Sequence, residues 1–272
     1  MLCILSALKA ESDPIINFFK LKKDSSFKFP VFVNQDIALI GIGVGSGNIP
    51  SRINIFFEKF KKENIFFINI GIAGGNSEDT KIGECFLINK IKDDFNKKSF
   101  YPDILIKHLF KEKDITTVQN IVSNDSGDYN SLIDMESSVI FDTCKNLVSP
   151  HRISFIKIVS DHFNKDNQSF DFHYIKNLIN NSMDKIEKYF INLKFIINKE
   201  VSILTNEDNL WLDNISSILS LTVSQKQFIK YKVTGYRIKN PSKCLPKDKI
   251  EVPISKFNQK KILKKLSDKI SI

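Results

Sequence analysis

Apolar runs of strand length alternate here with segments of helical spacing. The pattern predicts an α/β fold, a three-layer sandwich in which a mixed twisted sheet is covered by helices on both faces. Three observations carry this. The segments LCILSA (2–7), IFFINIGI (65–72) and ISFIKIV (153–159) are apolar almost throughout, as strands buried on both faces are. Helix-spaced stretches separate them. Charge is unevenly divided: residues 1–199 are nearly neutral at +2, while 200–272 carry +7. Within the latter, 220–272 holds 14 basic groups against Asp248, Glu251 and Asp268. A helix-spaced stretch ending at 197 closes the body, 1–197, and leaves a mostly helical, Lys-rich C-terminal extension, 198–272.

The elements follow in order. After the first strand, 10–22 has helical spacing, with Pro14 tolerated in a first turn. VFVNQ (31–35) and DIALIGIGV (36–44) read as two tightly joined strands. A Gly-Ser-Gly-Asn turn leads into a helix over 49–61, spaced by Ile49, Ile53, Phe56, Phe57 and Phe60. Strands at 65–72 and 84–91 flank an AGGN turn. One helix is expected near 103–112, in the least regular stretch. A stronger amphipathic helix is expected over 133–147, with Asp134 and Glu136 near its start, where carboxylates suit the helix dipole. The strand 153–159 and a helix over 170–197 close the body. In the extension, helices are expected at 207–220, 224–232 and 256–270, with a Pro-punctuated loop at 236–253 between the last two.

Composition excludes several classes. Of 272 residues, 42% are apolar and 23 are Phe, enough to fold rather than remain disordered. No apolar run approaches the ~20 residues of a membrane span, and the apolar N-terminus lacks a basic lead and cleavage site. Cys3, Cys85, Cys144 and Cys244 lack metal-ligand spacing, so buried free thiols in a reducing cytoplasm are expected, with no metal and no redox cofactor. Eight of ten glycines lie between Gly41 and Gly83. GIGVGSGN is not a dinucleotide fingerprint, because Ser46 stands at the third glycine position and no acidic residue closes a second strand.

Six motifs in fixed order are more specific: ILSALKAE (4–11), IALIGIGVGSGN (37–48), INIGIAGG (68–75), IGECFL (82–87), DMESS (134–138) and IVSDHFN (158–164). Together they resemble the purine nucleoside phosphorylase and nucleosidase superfamily, most closely the methylthioadenosine/S-adenosylhomocysteine nucleosidases. The resemblance covers residues 1 to about 197. It implies hydrolysis of an adenosine-like (thio)nucleoside at its N-glycosidic bond, with no cofactor and in a homodimer. By resemblance Asp161 donates to purine N7 with Ser160 orienting it, Glu136 binds the ribose hydroxyls, Met135 packs on the sugar, and Glu11 is the base for water. Gly43 and Gly71 complete the substrate-binding set, with Phe170 as an aromatic lid.

Plain readings stand beside these. Asp134 reads better as a helix-start acid than as a catalytic group. Met135 and Phe170 are as well explained as core. A solvated helix-start acid accounts for Glu11 about as well as catalysis does. Departures from the family pattern bear on mechanism. Asn69 and Lys157 stand where arginines are common, which favours hydrolysis over phosphorolysis. Ile72 replaces a small polar residue on the nucleophile's side, which keeps open a second class, a nucleoside-binding accessory module with weak turnover. A phosphorylase is the third reading.

For the extension, three readings compete. Its lysines solvate; or Trp211, Leu212, Ile215, Ile218, Leu219 and Leu221 dock on the body or a second subunit; or the lysines interleaved with Phe228, Tyr231 and Tyr236 bind nucleic acid. The first two are favoured, because neither a motif nor an arginine cluster supports the third.

Overall fold

The computed structural model describes residues 1–60, 64–120, 129–162, 171–199, 203–241, 243–246 and 252–270. The chain forms two compact units, Met1–Ile197 and Asn198–Ile272. Among the described residues no helix is long and apolar enough to cross a membrane.

The first unit begins with β1 (Leu2–Ser6), α1 (Lys9–Phe18), β2 (Lys22–Lys23), β3 (Val31–Val33), β4 (Ile37–Gly41), α2 (Ile49–Phe60) and β5 (Phe66–Gly74). It continues with β6 (Cys85–Asp93), β7 (Ser99–Phe100), β8 (Lys111–Thr117), β9 (Leu132–Asp134), α3 (Ser137–Cys144), β10 (Ile153–Asp161) and α4 (Phe172–Lys199). The strands form one mixed sheet. At its centre β4, β1, β5 and β10 run parallel, with Leu5 opposite both Ile40 and, one residue on from the Ile4–Ile68 pair, close to Asn69. Beyond β10 the order runs β6, β8, β9 and back to β5, because β9 pairs with β5 through Ile133 and Gly74. One half of the sheet therefore closes on itself, while β4, β3 and β2 extend outward from the other half.

Successive strand residues point to opposite faces, so uninterrupted apolar strands need cover on both. They have it. Ile4, Ile68, Ile70, Ile156 and Ile158 pack with Ile15 of α1 and with Ile179, Met183 and Ile186 of α4. Leu5, Ile40, Phe67, Phe155 and Val159 pack on the other face with Ile53 and Phe56 of α2 and Ile140 and Cys144 of α3. The three-layer α/β body is the observed architecture.

Two expected helices are corrected. Residues 101–110 hold no helix, and Lys111–Thr117 is a strand. Its alternation is weak because only Ile115, Thr116 and Thr117 are buried, at the end where it meets β9. The expected helix over 133–147 shrinks to Ser137–Cys144, since Leu132–Asp134 is the short strand that closes the sheet. Pairing across β8 and β5 overrides the local helical spacing there. Lesser shifts occur at α6 (Val223–Lys239), which runs seven residues past its expected end.

Burial decides which thiols react. Cys3, Cys85 and Cys144 are buried, but Cys244 is exposed, against the expectation of four buried thiols. Removal from water pushes the Cys85 thiol up to about 12 and raises those of Cys3 and Cys144 as well. Titrating the native protein with a chromogenic thiol reagent should therefore modify Cys244 rapidly and the other three only after denaturation. Fast reaction of more than one thiol in the native state would contradict this packing.

The second unit contains α5 (Asn206–Ile218), α6 and α7 (Lys256–Ile270). Thr205 and Thr222 begin α5 and α6 with reciprocal capping boxes completed by Asp208 and Gln225. Leu212, Ile215, Leu219, Leu221, Ile229, Val233, Leu263, Leu266 and Ile270 make a separate core, with Trp211 and Ile218 against it. The apolar stripe of 207–221 packs into this unit's own core. Trp211 Nε1 donates to the Pro246 carbonyl at 2.9 Å. Arg237 closes the core's edge with two hydrogen bonds to the Asp208 carboxylate, Nε to Oδ2 at 2.9 Å and Nη2 to Oδ1 at 2.5 Å.

Candidate active site

Open α/β sheets place ligands beyond the carboxyl ends of their strands. Here the ends of β1, β5 and β10 bring Glu11, Met135, Glu136, Ser160 and Asp161 around one cavity of about 210 Å³. Ile72, Val44, Val118 and Ile133 supply apolar wall, and Asp134 also lines the cavity.

Asp161 ends β10 at a register irregularity between Val159 and Asp161, which turns it out of the regular pleat. Ser160, buried beside it, donates Oγ to Asp161 Oδ1 at 2.6 Å. Tyr174 of α4 donates its hydroxyl to the Ser160 carbonyl at 2.8 Å. Burial, then the Asp161 charge, raises the Tyr174 phenol above its usual range, so it stays a donor. Tyr174 was missed from sequence, where it is one aromatic among many.

Glu11 is not a solvated acid. It is 2% exposed and its carboxylate accepts four hydrogen bonds. Oε2 takes Ser6 Oγ at 3.1 Å, Ala7 N at 3.0 Å and Leu8 N at 2.9 Å; Oε1 takes Ile72 N at 2.9 Å. The apolar residue at 72 therefore still contributes a polar contact, through its backbone. Gly71 is what allows this approach, since a Cβ there would stand 2.9 Å from Glu11 Oε1.

Glu136 occupies the residue before α3, and its Oε1 accepts from Gly45 N at 2.9 Å. Gly45 has φ +76°, a conformation that favours glycine. Gly43 is set apart: it lines a neighbouring groove beneath Arg52 rather than the carboxylate cavity. Phe170 lies outside the described residues.

Asp134 acts at the start of α3 and is also half of a buried ion pair. Its Oδ2 meets Lys157 Nζ at 2.8 Å with both side chains almost wholly buried. Thr117 Oγ1 at 2.8 Å and Ser137 N at 3.0 Å also donate to it. Lys157 is the buried cation that faces this group of carboxylates, and one signal could have revealed it: a lysine inside the apolar strand ISFIKIV must be paired. Burial alone lowers the Lys157 ammonium, but Asp134, Glu136 and Glu11 outweigh it and hold it above its ordinary value. Glu136 moves the opposite way to a usual surface acid. Burial first, then the Asp134 charge, raises its carboxyl, against the pull of Lys157 and of the Gly45 N–H. Asn69 is spent inside the sheet, donating Nδ2 to the Leu5 carbonyl at 3.0 Å. Among the described residues no three His, Cys, Asp or Glu side chains form a group able to hold a metal.

No protein-family profile matches this sequence, and no curated protein does. Solved structures do match. The methylthioadenosine/S-adenosylhomocysteine nucleosidase of Campylobacter jejuni superposes with TM-score 0.56 at 18% identity, over 69% of this chain and 96% of that one. The Streptococcus pneumoniae enzyme of the same name, solved with a transition-state inhibitor, gives 0.58 at 14% identity, over 71% and 99%. The Neisseria meningitidis enzyme, solved with methylthio-immucillin-A, gives 0.56 at 17%, over 68% and 96%. The fold is that of the methylthioadenosine/S-adenosylhomocysteine nucleosidases. Some seven-tenths of this chain thus accounts for nearly the whole length of each nucleosidase, so the nucleosidase fold here carries a substantial further segment.

Proposed function

We propose that the first unit is a purine nucleoside hydrolase that cleaves the N-glycosidic bond of adenosine-like thionucleosides such as methylthioadenosine or S-adenosylhomocysteine. The observation that carries this reading is the convergence of Glu11, Glu136 and Asp161, from three separate segments, on one cavity at the strands' carboxyl ends. Glycosyl hydrolysis passes through an oxocarbenium-like sugar and needs a proton on the leaving group, a held sugar and an activated water. In this reading Asp161, steadied by Ser160, supplies the proton or hydrogen bond to purine N7. Glu136 holds the ribose hydroxyls while Met135 packs on the sugar. Glu11 takes the water's proton on Oε1, the oxygen that accepts only one of its four hydrogen bonds.

Hydrolysis is favoured over phosphorolysis by the arginines. Of the three in the chain, Arg52 lies in the neighbouring groove and Arg237 is bound to Asp208, and none lines the carboxylate cavity among the described residues. A second reading, a binding module with little turnover, is favoured by one observation: three donors already occupy Glu11 Oε2. The test is to incubate the protein with methylthioadenosine, S-adenosylhomocysteine, 5′-deoxyadenosine and inosine, with and without phosphate. Free base released without phosphate supports hydrolysis. Calorimetric binding without release supports the module, and strict phosphate dependence would make it a phosphorylase. The resemblance also carries a homodimer in the cytoplasm, and light scattering on the eluting protein reads its mass.

Glu136 makes a pH prediction. Its folded carboxyl titrates above the ordinary 4.5, so the folded protein binds the proton more tightly than the unfolded chain does. Its contribution to stability is therefore lost as pH rises from about 4.5 through the folded value, and stays lost above it. Glu136→Gln removes that charge but keeps an acceptor for Gly45 N. The variant should melt higher than the parent at neutral pH, match it in acid, and bind and hydrolyse nucleoside less well. Equal melting temperatures at neutral pH would show that Glu136 is not strained by burial.

A further inference from the structure

Helix α6 is buried along one side only, where Ile229 and Val233 enter the second unit's core. Read at helical spacing, the opposite side presents Phe228, Tyr231, Gly235 and Ile238. Three of these are large and exposed, at 45%, 76% and 61% respectively for Phe228, Tyr231 and Ile238. The fourth is a glycine that packing does not require. A Cβ at Gly235 would meet nothing within 4 Å, and alanine there would favour the helix by about 1 kcal/mol. No neighbour within the unit asks for glycine, whereas a backbone arriving from outside would.

The helix that carries this stripe is basic. Helix α6 carries five basic side chains and no acidic one. Arg237 is engaged with Asp208, but Lys226, Lys230 and Lys239 are exposed, and Lys232 sits 5.9 Å from the centre of the Phe228 ring. Helix α7 adds six lysines against Asp268 alone.

We propose that this face of α6 binds single-stranded nucleic acid. The lysines meet phosphates, Phe228 and Tyr231 stack on bases, and Gly235 lets the strand run close to the helix. From Phe228 to Ile238 the stripe is about 15 Å long, room for a few nucleotides. Charge complementarity selects a polyanion. A membrane surface is the weaker fit, since an interfacial helix offers a broad aliphatic face, and here the most exposed stripe residue is a tyrosine beside a glycine. From sequence alone the solvated and docking readings were favoured. The structure changes that balance, because the Trp211 stripe and Tyr236 pack against the unit's own core while Phe228 and Tyr231 stay exposed.

The test uses the full chain and a fluorescent oligo-dT or oligo-U of about 20 nucleotides, followed by anisotropy between about 50 and 200 mM salt. Binding should weaken steeply with salt, by a log–log slope of about −0.7 per phosphate neutralised. Phe228→Ala with Tyr231→Ala should lose at least about tenfold in affinity, the scale of one lost stacked base. Gly235→Leu should weaken binding with the circular dichroism unchanged, while Gly235→Ala should raise the melting temperature. The proposal fails if no oligonucleotide binds at low salt. It fails equally if binding ignores the aromatic and glycine substitutions, or if the chain prefers vesicles of anionic phospholipid over the oligonucleotides.

Discussion

Asp161→Asn should lower nucleoside hydrolysis by about 10²–10⁴-fold, the usual contribution of a positioned general acid, while leaving nucleoside affinity within a few-fold of the parent. The asparagine keeps an oxygen for the Ser160 hydroxyl, which now reaches Asp161 Oδ1 at 2.6 Å. The Tyr174 bond to the Ser160 carbonyl does not involve the substituted group at all. The fold and the pocket shape should therefore persist, and only the proton or hydrogen bond offered to the leaving base is lost. Single-turnover release of free base, measured beside calorimetric binding, separates the two effects. Turnover equal to the parent's would remove Asp161 from the mechanism, and affinity lost in proportion to rate would make it a binding group instead.

Lys157→Met should be the most damaging single change to stability, at about 3–5 kcal/mol in urea denaturation, the range seen when one partner of a buried pair is removed. The lysine is 2% exposed and meets the buried Asp134 carboxylate at 2.8 Å. Without it, Asp134 has no buried cation, and Glu136 and Glu11 lose the charge that offsets their mutual repulsion. Glu136, already raised by burial and by Asp134, would lose the pull of Lys157 and take up its proton at still higher pH, so the variant's stability should fall most between weakly acidic and neutral conditions. The double change Lys157→Met with Asp134→Asn should recover much of the loss, because it removes the orphaned charge together with its partner. If the single variant unfolds at the parental midpoint, the ion pair is not what holds this end of the sheet. A double variant no better than the single one would point to lost packing of the lysine stem.

Both predictions rest on residues that differ in how readable they were. Asp161, Ser160, Met135 and Glu136 belong to motifs whose order along the chain is informative, and they do share one cavity. Glu11 sits in an equally short motif, yet its helical start reads the same whether the carboxylate faces water or the sheet. Only the turn of β5, with Gly71 leaving room and Ile72 offering its N–H, makes it a buried acceptor of four bonds. Asp134 was legible only in part, for a similar reason. Its local pattern is that of a helix-start acid, and it does accept from Ser137 N, but its main partner lies on a strand some twenty residues onward.

What this sequence determined by itself is the central parallel sheet and its cover. Uninterrupted apolar stretches at β1, β5 and β10 and helix-spaced residues in α1, α2 and α4 leave only a doubly covered sheet as a way to bury them. Helix spacing likewise foretold α5, α6 and α7, because each buries one stripe and its period is local. Tertiary structure alone decided that Lys111–Thr117 is a strand and that three residues before α3 close the sheet onto β5. It alone decided that Trp211 packs in its own unit and that one buried lysine balances three acids. Those outcomes depend on which distant segment comes alongside, and a sequence window holds the periodicity of its own residues but not the identity of their partners.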